Sequence, residues 1–153
     1  MATFEIKLVI NRPIEEVFEF ISNPENLPRW RASALQVTKL SPDQPLGVGS
    51  LYRSRYSFLG RAFEATIEII ARQSASHYAG RIIEGPFPLE TRYTLEPDAS
   101  QTRLSMIAEG EPGGFFKLAE PLVISMAKRS FEADFQNLKE LLEAQAVQLG
   151  SDL

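Results

Sequence analysis

The feature that most constrains the fold of this chain is the segment 11–30, NRPIEEVFEFISNPENLPRW, together with the residues just before it. Residues 3–10 alternate between polar and apolar side chains, which predicts a half-buried strand. Asn11 is placed to accept hydrogen bonds from the free N–H groups of a helix, and Pro13 suits the first helical turn, where its missing N–H costs nothing. The segment therefore predicts that a helix follows the strand directly.

Two short helices are predicted before the chain turns back into strands. Glu15 and Glu16 oppose the positive end of the first helix dipole, which favours a helix start near Pro13. The run Ser22, Asn23 and Pro24 stops this helix and caps a second, shorter one that ends near Trp30. The first helix has an apolar face made by residues at three- and four-residue spacing, namely Ile14, Val17, Phe18 and Ile21.

After the second helix the chain is predicted to form six more strands. The clearest pair is the hairpin of residues 50–58 and 61–70, because alternating segments flank a turn at Leu59-Gly60. His77, the one histidine of the chain, falls on the more polar face of its strand and is predicted to point to solvent. The predicted strands cover residues 34–40, 50–58, 61–70, 75–83, 89–95 and 102–108.

A long amphipathic helix is predicted from residue 115 onward. Its apolar residues recur at three- and four-residue steps and form one stripe that suits a helix packed on a sheet. Pro121 lies inside this pattern, so the helix should bend or start afresh there. The segment before it is predicted to act as a flap, with Phe115 and Phe116 as an apolar plug at the cavity mouth. Ordinary core packing of these two residues is the alternative. The stripe comprises Phe116, Ala119, Val123, Ala127, Phe131, Phe135, Leu138 and Leu142.

Taken together, these segments resemble the START-related helix-grip (SRPBCC) superfamily, and within it the polyketide cyclase/dehydrase-like branch. The resemblance rests on the P-x-E-x-V-F-x-F-I pattern with its following P-E-x-[apolar]-P-x-W, on the glycine-rich approach to Tyr52, and on the final helix. It implies an α+β helix-grip fold of order β-α-α-β6-α, in which a seven-stranded curved antiparallel sheet is wrapped around the long C-terminal helix. A hydrophobic cavity would lie between the two. We expect one domain, residues 1–146, followed by a short tail, residues 147–153.

Composition excludes several classes of function. Sixteen basic against twenty acidic residues, without a basic cluster, argue against a nucleic-acid partner. The absence of cysteine and the single histidine remove the usual ligands of zinc sites, and we expect no metal and no cofactor. The N-terminal segment lacks a signal-peptide core, and no apolar run is long enough to span a membrane. We therefore expect a soluble, cytoplasmic protein without an integral membrane segment.

The candidate binding residues follow from alternation and from the resemblance. Tyrosines at inward strand positions must find hydrogen-bond partners, either within the protein or on a ligand. Trp30 could close the rim of a pocket or cap the short helix against the sheet. Three tyrosine hydroxyls and Ser54 would orient the ligand. The predicted ligand-binding residues are Trp30, Tyr52, Ser54, Tyr56, Phe58, Phe63, Ile67, Tyr78, Phe87, Tyr93, Met106, Phe116, Val123 and Ala127.

Three functions are consistent with this reasoning. The first is binding or carrying of a hydrophobic small molecule, such as a lipid, polyketide-like or isoprenoid-like compound, in the cavity. The second is a polyketide cyclase, aromatase or dehydratase-like enzyme, in which a Tyr or Arg polarises a carbonyl; no inward histidine or carboxylate is evident, so whether the protein is an enzyme stays open. The third is a regulator that binds a partner protein. The sequence does not fix the oligomeric state, and a homodimer is one alternative.

Overall fold

Strands and helices follow one another in the predicted order. The structure, a computed structural model, describes residues 2–58, 60–86, 88–110 and 120–151, without the side chains of residues 2, 120 and 146–151. The helices are α1 (Ile14–Ile21), α2 (Leu27–Trp30) and α3 (Glu120–Ser151), and a 3-10 turn (Pro24–Asn26) precedes α2. The strands are β1 (Ala2–Ile10), β2 (Ala34–Lys39), β3 (Leu51–Phe58), β4 (Arg61–Gln73), β5 (His77–Glu84), β6 (Leu89–Asp98) and β7 (Gln101–Gly110).

The seven strands form a single antiparallel sheet in the order β1-β7-β6-β5-β4-β3-β2. β1 and β2 are neighbours in the chain but lie at opposite edges of the sheet, so the segment containing α1 and α2 crosses from one edge to the other. Register shifts in β2 and β4 mark bulges, which bend the strands and curve the sheet. The predicted α+β helix-grip fold, with its long C-terminal helix, is confirmed.

The predicted cap of α1 is wrong, whereas the next one is confirmed. Pro13 occupies the N-cap position of α1, and none of the described side chains caps this helix. The backbone N–H of Asn11 instead donates to Oε1 of Glu143 on α3 at 2.9 Å, which ties the end of β1 to the helix. Asn23 does cap the 3-10 turn, because its side-chain oxygen accepts from the N–H of Glu25 at 3.1 Å.

The described part of α3 starts at Glu120, directly before Pro121, so the expected bend or fresh start at this proline stays a prediction. The predicted flap and its plug, Phe115 and Phe116, lie outside the described residues, as does Phe87. None of the described helices combines the length and the apolar composition that crossing a membrane would require. His77 is exposed, as predicted.

The space between the sheet and α3 has two different halves. At one end, which we call the packed half, side chains of α1, α3 and the sheet interlock around Phe135. At the other end, which we call the hollow half, the first turns of described α3 stand over a cavity. Tyr52 and Tyr56, four residues apart on β3, fall on opposite sides of this division. The buried side chains of the packed half include Ile10, Phe18, Tyr52, Leu95, Leu104, Phe135, Leu138 and Leu142.

Candidate functional site: an apolar cavity under the C-terminal helix

The cavity of the hollow half has a volume of about 190 Å³. All seven strands and two helices contribute to its wall, which is mainly aliphatic and aromatic. This is the open space between sheet and helix that ligand binding in such a fold requires. The described residues that line it are Phe4, Leu27, Arg31, Ser33, Ala34, Val37, Ser54, Tyr56, Ser57, Phe58, Ile67, Ile82, Pro88, Leu89, Ala108, Gly110, Val123, Ile124, Ala127, Ser130 and Phe131.

The structure brings some of the predicted binding residues to this wall and places the others elsewhere. Those on the wall are Ser54, Tyr56, Phe58, Ile67, Val123 and Ala127. Phe63 is partly exposed, and its ring centroid lies 5.7 Å from that of Tyr56. Phe87 and Phe116 are outside the described residues. The remaining predicted residues belong to the buried hydrophobic core instead, namely Trp30, Tyr52, Tyr78, Tyr93 and Met106.

Trp30 and the tyrosines of the packed half serve as core residues. The Trp30 ring is 2% exposed and lies 5.3 Å from the ring of Phe135, so it caps the short helix against α3 and does not form a cavity rim. Tyr78 and Tyr93 pair with a centroid distance of 5.5 Å. Their inward orientation was predicted, but their placement along the strands puts them beyond the cavity.

Tyr56 supplies a polar group for which the described residues provide no hydrogen-bond partner. Its hydroxyl is buried and has no hydrogen-bond partner among the described residues, although its side chain lines the cavity. A buried hydroxyl without a partner costs about 1–3 kcal/mol, which a ligand acceptor would recover. Ser54, by contrast, donates its hydroxyl to the carbonyl oxygen of Ala65 at 3.0 Å, so its proton is not available to a ligand.

Arg31, which the sequence reasoning missed, places a cation on the apolar wall. Its guanidinium carbon lies 3.8 Å from the ring centroid of Phe131, and its Nε donates to Oδ2 of Asp134 at 3.3 Å. Oδ1 of Asp134 accepts from the backbone N–H of Ala32 at 3.1 Å. Asp134 is 1% exposed and lies within the apolar stripe of α3. A carboxylate in such a stripe needs a buried partner, and this was the signal available in the sequence.

Burial keeps the phenols of this region protonated. Loss of solvation raises the pKa of Tyr56 above its usual value of 10. Burial likewise raises the pKa of Tyr93 to about 12, against a smaller lowering by Arg31, and raises the pKa of Tyr78 further. The hydroxyl of Tyr56 can therefore donate a hydrogen bond at neutral pH, but it is a poor source of a phenolate base.

The described wall contains hydrogen-bond donors but lacks a general base. Arg31, Tyr56 and several serines are its polar residues, and no His, Asp or Glu lines it within the described part of the chain. Nor do three such side chains come together as metal ligands anywhere in those residues. The arrangement can thus hold an apolar molecule and donate hydrogen bonds to an acceptor on it.

Solved structures with the same fold share little sequence with this chain. TTHA0849 from Thermus thermophilus is 18% identical with a TM-score of 0.80, over 94% of this chain and 99% of that one. A START superfamily protein from Mycobacterium smegmatis is 16% identical with a TM-score of 0.75, over 94% and 98%. The di-domain ARO/CYC protein BexL from the BE-7585A biosynthetic pathway is 14% identical with a TM-score of 0.68, over 94% and 47%. Identities this low show a shared fold only.

The sequence itself carries a family assignment. No curated protein matches it. The model of the family described as polyketide cyclase/dehydrase and lipid transport, however, matches residues 1–143, from β1 through most of α3. Because this match covers nearly the whole fold, the chain belongs to the polyketide cyclase/dehydrase and lipid transport family.

Proposed function

We propose that this protein binds or carries a hydrophobic small molecule in the cavity of the hollow half. The observation that carries the proposal is an apolar cavity of about 190 Å³ whose wall includes the Tyr56 hydroxyl, which has no hydrogen-bond partner within the described part of the chain. An apolar cavity of about 150 Å³ is already large enough to bind benzene. Small-molecule sites typically combine such a wall with a few polar groups that orient the ligand. The family description, which includes lipid transport, supports the same function.

The cavity size and its wall define what would fit. Drug-sized ligands occupy roughly 300–1,000 Å³, so this cavity suits a compound of about one or two rings, or a short chain. The residues predicted from sequence that would contact it are Ser54, Tyr56, Phe58, Ile67, Val123 and Ala127. We also propose a cytoplasmic location, with which the absence of cysteine from the sequence is compatible.

A cyclase-like enzyme is the second candidate, and one observation favours it. Arg31 and Tyr56 line the same cavity and are both donors, which could polarise a substrate carbonyl. The family description names cyclases and dehydrases beside lipid transport. Proton abstraction would need a base, and the described wall supplies none. Ligand binding needs only the groups that the described wall contains, whereas catalysis would need a base in addition. We therefore place the binding function first.

The test is to fill the cavity and measure binding of an apolar probe. The fluorescent compound 1-aminonaphthalene would be titrated into the wild type, Ala127→Phe and Ala133→Phe. Ala127 lines the cavity, whereas Ala133 lies on the exposed face of the same helix, so the two variants add the same ring in different places. We expect saturable binding to the wild type and to Ala133→Phe, and at least a roughly tenfold loss in Ala127→Phe.

Two results would contradict the proposal. One is a wild type that shows no saturable binding of the probe. The other is an Ala127→Phe variant that folds and binds as well as Ala133→Phe, because the probe would then lie elsewhere. Circular dichroism of both variants controls for folding. Native mass spectrometry of the wild type from its host would then reveal any co-purified hydrophobic compound.

A further inference from the structure

Arg31 is held rigidly against the cavity by two neighbours on α3. The Phe131 ring packs against the guanidinium plane, and Asp134 accepts from Nε, so the orientation of the fork is fixed. The Arg31 side chain is 18% exposed and that of Asp134 is 2% exposed. Asp134 is fixed in turn by the backbone N–H of Ala32. The cation is thus preorganised, because little side-chain freedom remains to be lost when a ligand binds.

The outer part of the guanidinium has no acceptor in the described residues. Nε is the one nitrogen of Arg31 with a hydrogen-bond partner there, which leaves the donors of Nη1 and Nη2 free. The Tyr56 hydroxyl is also without a partner in that part of the chain. Ala34 follows Arg31 by three residues and pairs in register with Tyr56, so both donors belong to the same end of the cavity. An oxygen acceptor on the ligand would satisfy donors that are otherwise unmet.

The charge of Asp134 limits which acceptor is suitable. Arg31 and Asp134 together carry no net charge, and both lie largely away from water. A ligand carboxylate would be a second anion beside one cation, and its own desolvation would be poorly compensated. A carbonyl oxygen could accept the same hydrogen bonds without bringing a charge out of water.

We propose that the Arg31–Asp134 pair, with Tyr56, selects hydrophobic ligands whose polar group is an uncharged oxygen acceptor, such as a ketone, ester or amide, over the corresponding carboxylic acids. This inference rests on the proposed function, since it specifies the ligand of the same cavity. Arg31 and Tyr56 donate to the acceptor, and Asp134 acts through Arg31 as a positioning residue. Asp134 thereby also excludes fatty-acid-like anions.

Three compounds with one ring system test the selection. Naphthalene, 2-acetylnaphthalene and 2-naphthoate differ only in bearing no acceptor, a neutral acceptor or an ionised one. Each would be measured at pH 7 by displacement of 1-aminonaphthalene from the wild type. We expect 2-acetylnaphthalene to bind about tenfold more tightly than naphthalene, since a hydrogen bond to a charged donor contributes on this scale. We expect 2-naphthoate to bind no better than naphthalene.

Three variants assign the effect to residues. Tyr56→Phe removes a hydroxyl that has no partner in the described chain, so it should fold normally and lower the ratio of ketone affinity to naphthalene affinity about threefold. Arg31→Lys keeps a cation opposite Asp134 but removes the planar guanidinium. It should bring the affinity for the ketone to within about threefold of the affinity for naphthalene. Asp134→Asn leaves Arg31 without a counter-charge, and should raise the affinity for 2-naphthoate relative to the ketone.

The outcomes separate this inference from the proposed function. If the wild type binds naphthalene but binds 2-naphthoate as tightly as the ketone or more tightly, the selection is overturned. The cavity then remains a binding site. A preference for the ketone that survives in both Tyr56→Phe and Arg31→Lys overturns the assignment to these donors. If none of the three compounds displaces the probe, both proposals fail.

Discussion

The buried pair of Arg31 and Asp134 gives a quantitative prediction about stability. Removal of one partner of a buried ion pair leaves a charge that cannot reach water, which typically costs about 3–5 kcal/mol. The two partners are not equally buried, because the side chain of Asp134 is 2% exposed and that of Arg31 is 18% exposed. We therefore expect Arg31→Met, which strands the carboxylate, to lower the free energy of unfolding by about 3–5 kcal/mol.

Removal of Asp134, the other partner of the pair, should lower the free energy of unfolding by less. In Asp134→Leu, the Arg31 cation loses its partner but still borders a cavity, and the N–H of Ala32 loses its acceptor. We expect the free energy of unfolding to fall by about 1–3 kcal/mol. The double variant removes both charges and leaves only the N–H of Ala32 unsatisfied. Its loss should fall short of the sum of the two single losses by about 2–3 kcal/mol, as is found for residues in direct contact.

These free energies are measured by urea unfolding followed by circular dichroism, with one slope of free energy against urea concentration fitted to all variants. Arg103 and Glu96 provide a matched control, because their 3.2 Å contact is as short as that of the buried pair but their side chains are 58% and 62% exposed. Arg103→Met should change stability by no more than about 0.5 kcal/mol. The reasoning is refuted if Arg31→Met costs no more than Arg103→Met, or if the two single losses simply add.

Two further predictions concern a glycine and a tyrosine. A Cβ on Gly110 would lie 2.9 Å from the carbonyl oxygen of Pro88, whereas one on Gly47 would meet nothing within 4 Å. Gly110→Ala should therefore lose about 1–3 kcal/mol of unfolding free energy, and Gly47→Ala should lose none. Because burial raises the pKa of Tyr93 from 10 to about 12, the unfolded chain loses this proton first, and stability should fall between pH 10 and 12. Tyr93→Phe should remove about 2–3 kcal/mol of that fall, as measured by urea unfolding at several pH values across this range; a pH dependence of stability that is the same in both proteins would contradict it.

Sequence patterns predicted which side chains of a strand point inward, but not whether an inward side chain lies in the packed half or on the cavity wall. Tyr52 and Tyr56 belong to the same face of β3, and alternation predicted both to point inward. The structure places one in the packed half and the other on the cavity wall. Alternation repeats every two residues and contains no information about which end of a curved sheet a helix contacts closely. For this reason Tyr78 and Tyr93 were predicted as binding residues and are core residues.

Charged residues within apolar segments were the signal that the sequence reasoning missed. Asp134 lies between Phe131 and Phe135 in the predicted stripe, and its burial could be inferred from this spacing alone. Its partner could not, because Arg31 is 103 residues away and meets it only through the tertiary fold. The wrong cap at Asn11 has a different origin, since Pro13 occupies the N-cap position of α1 and Asn11 lies two residues before it.

The order of strands in the sheet also affects how the chain folds during its synthesis. β1 is made first, yet its described partner, β7, is made last among the strands. The hydrogen bond from Thr102 to the carbonyl of Arg12 joins residues 90 positions apart, which a ribosome needs about 5–20 s to add. Until then the N-terminal strand has an open edge and an uncovered apolar face. This delay leaves an unpaired strand edge open to aggregation until β7 has been made, and contacts of such long range predict slow folding.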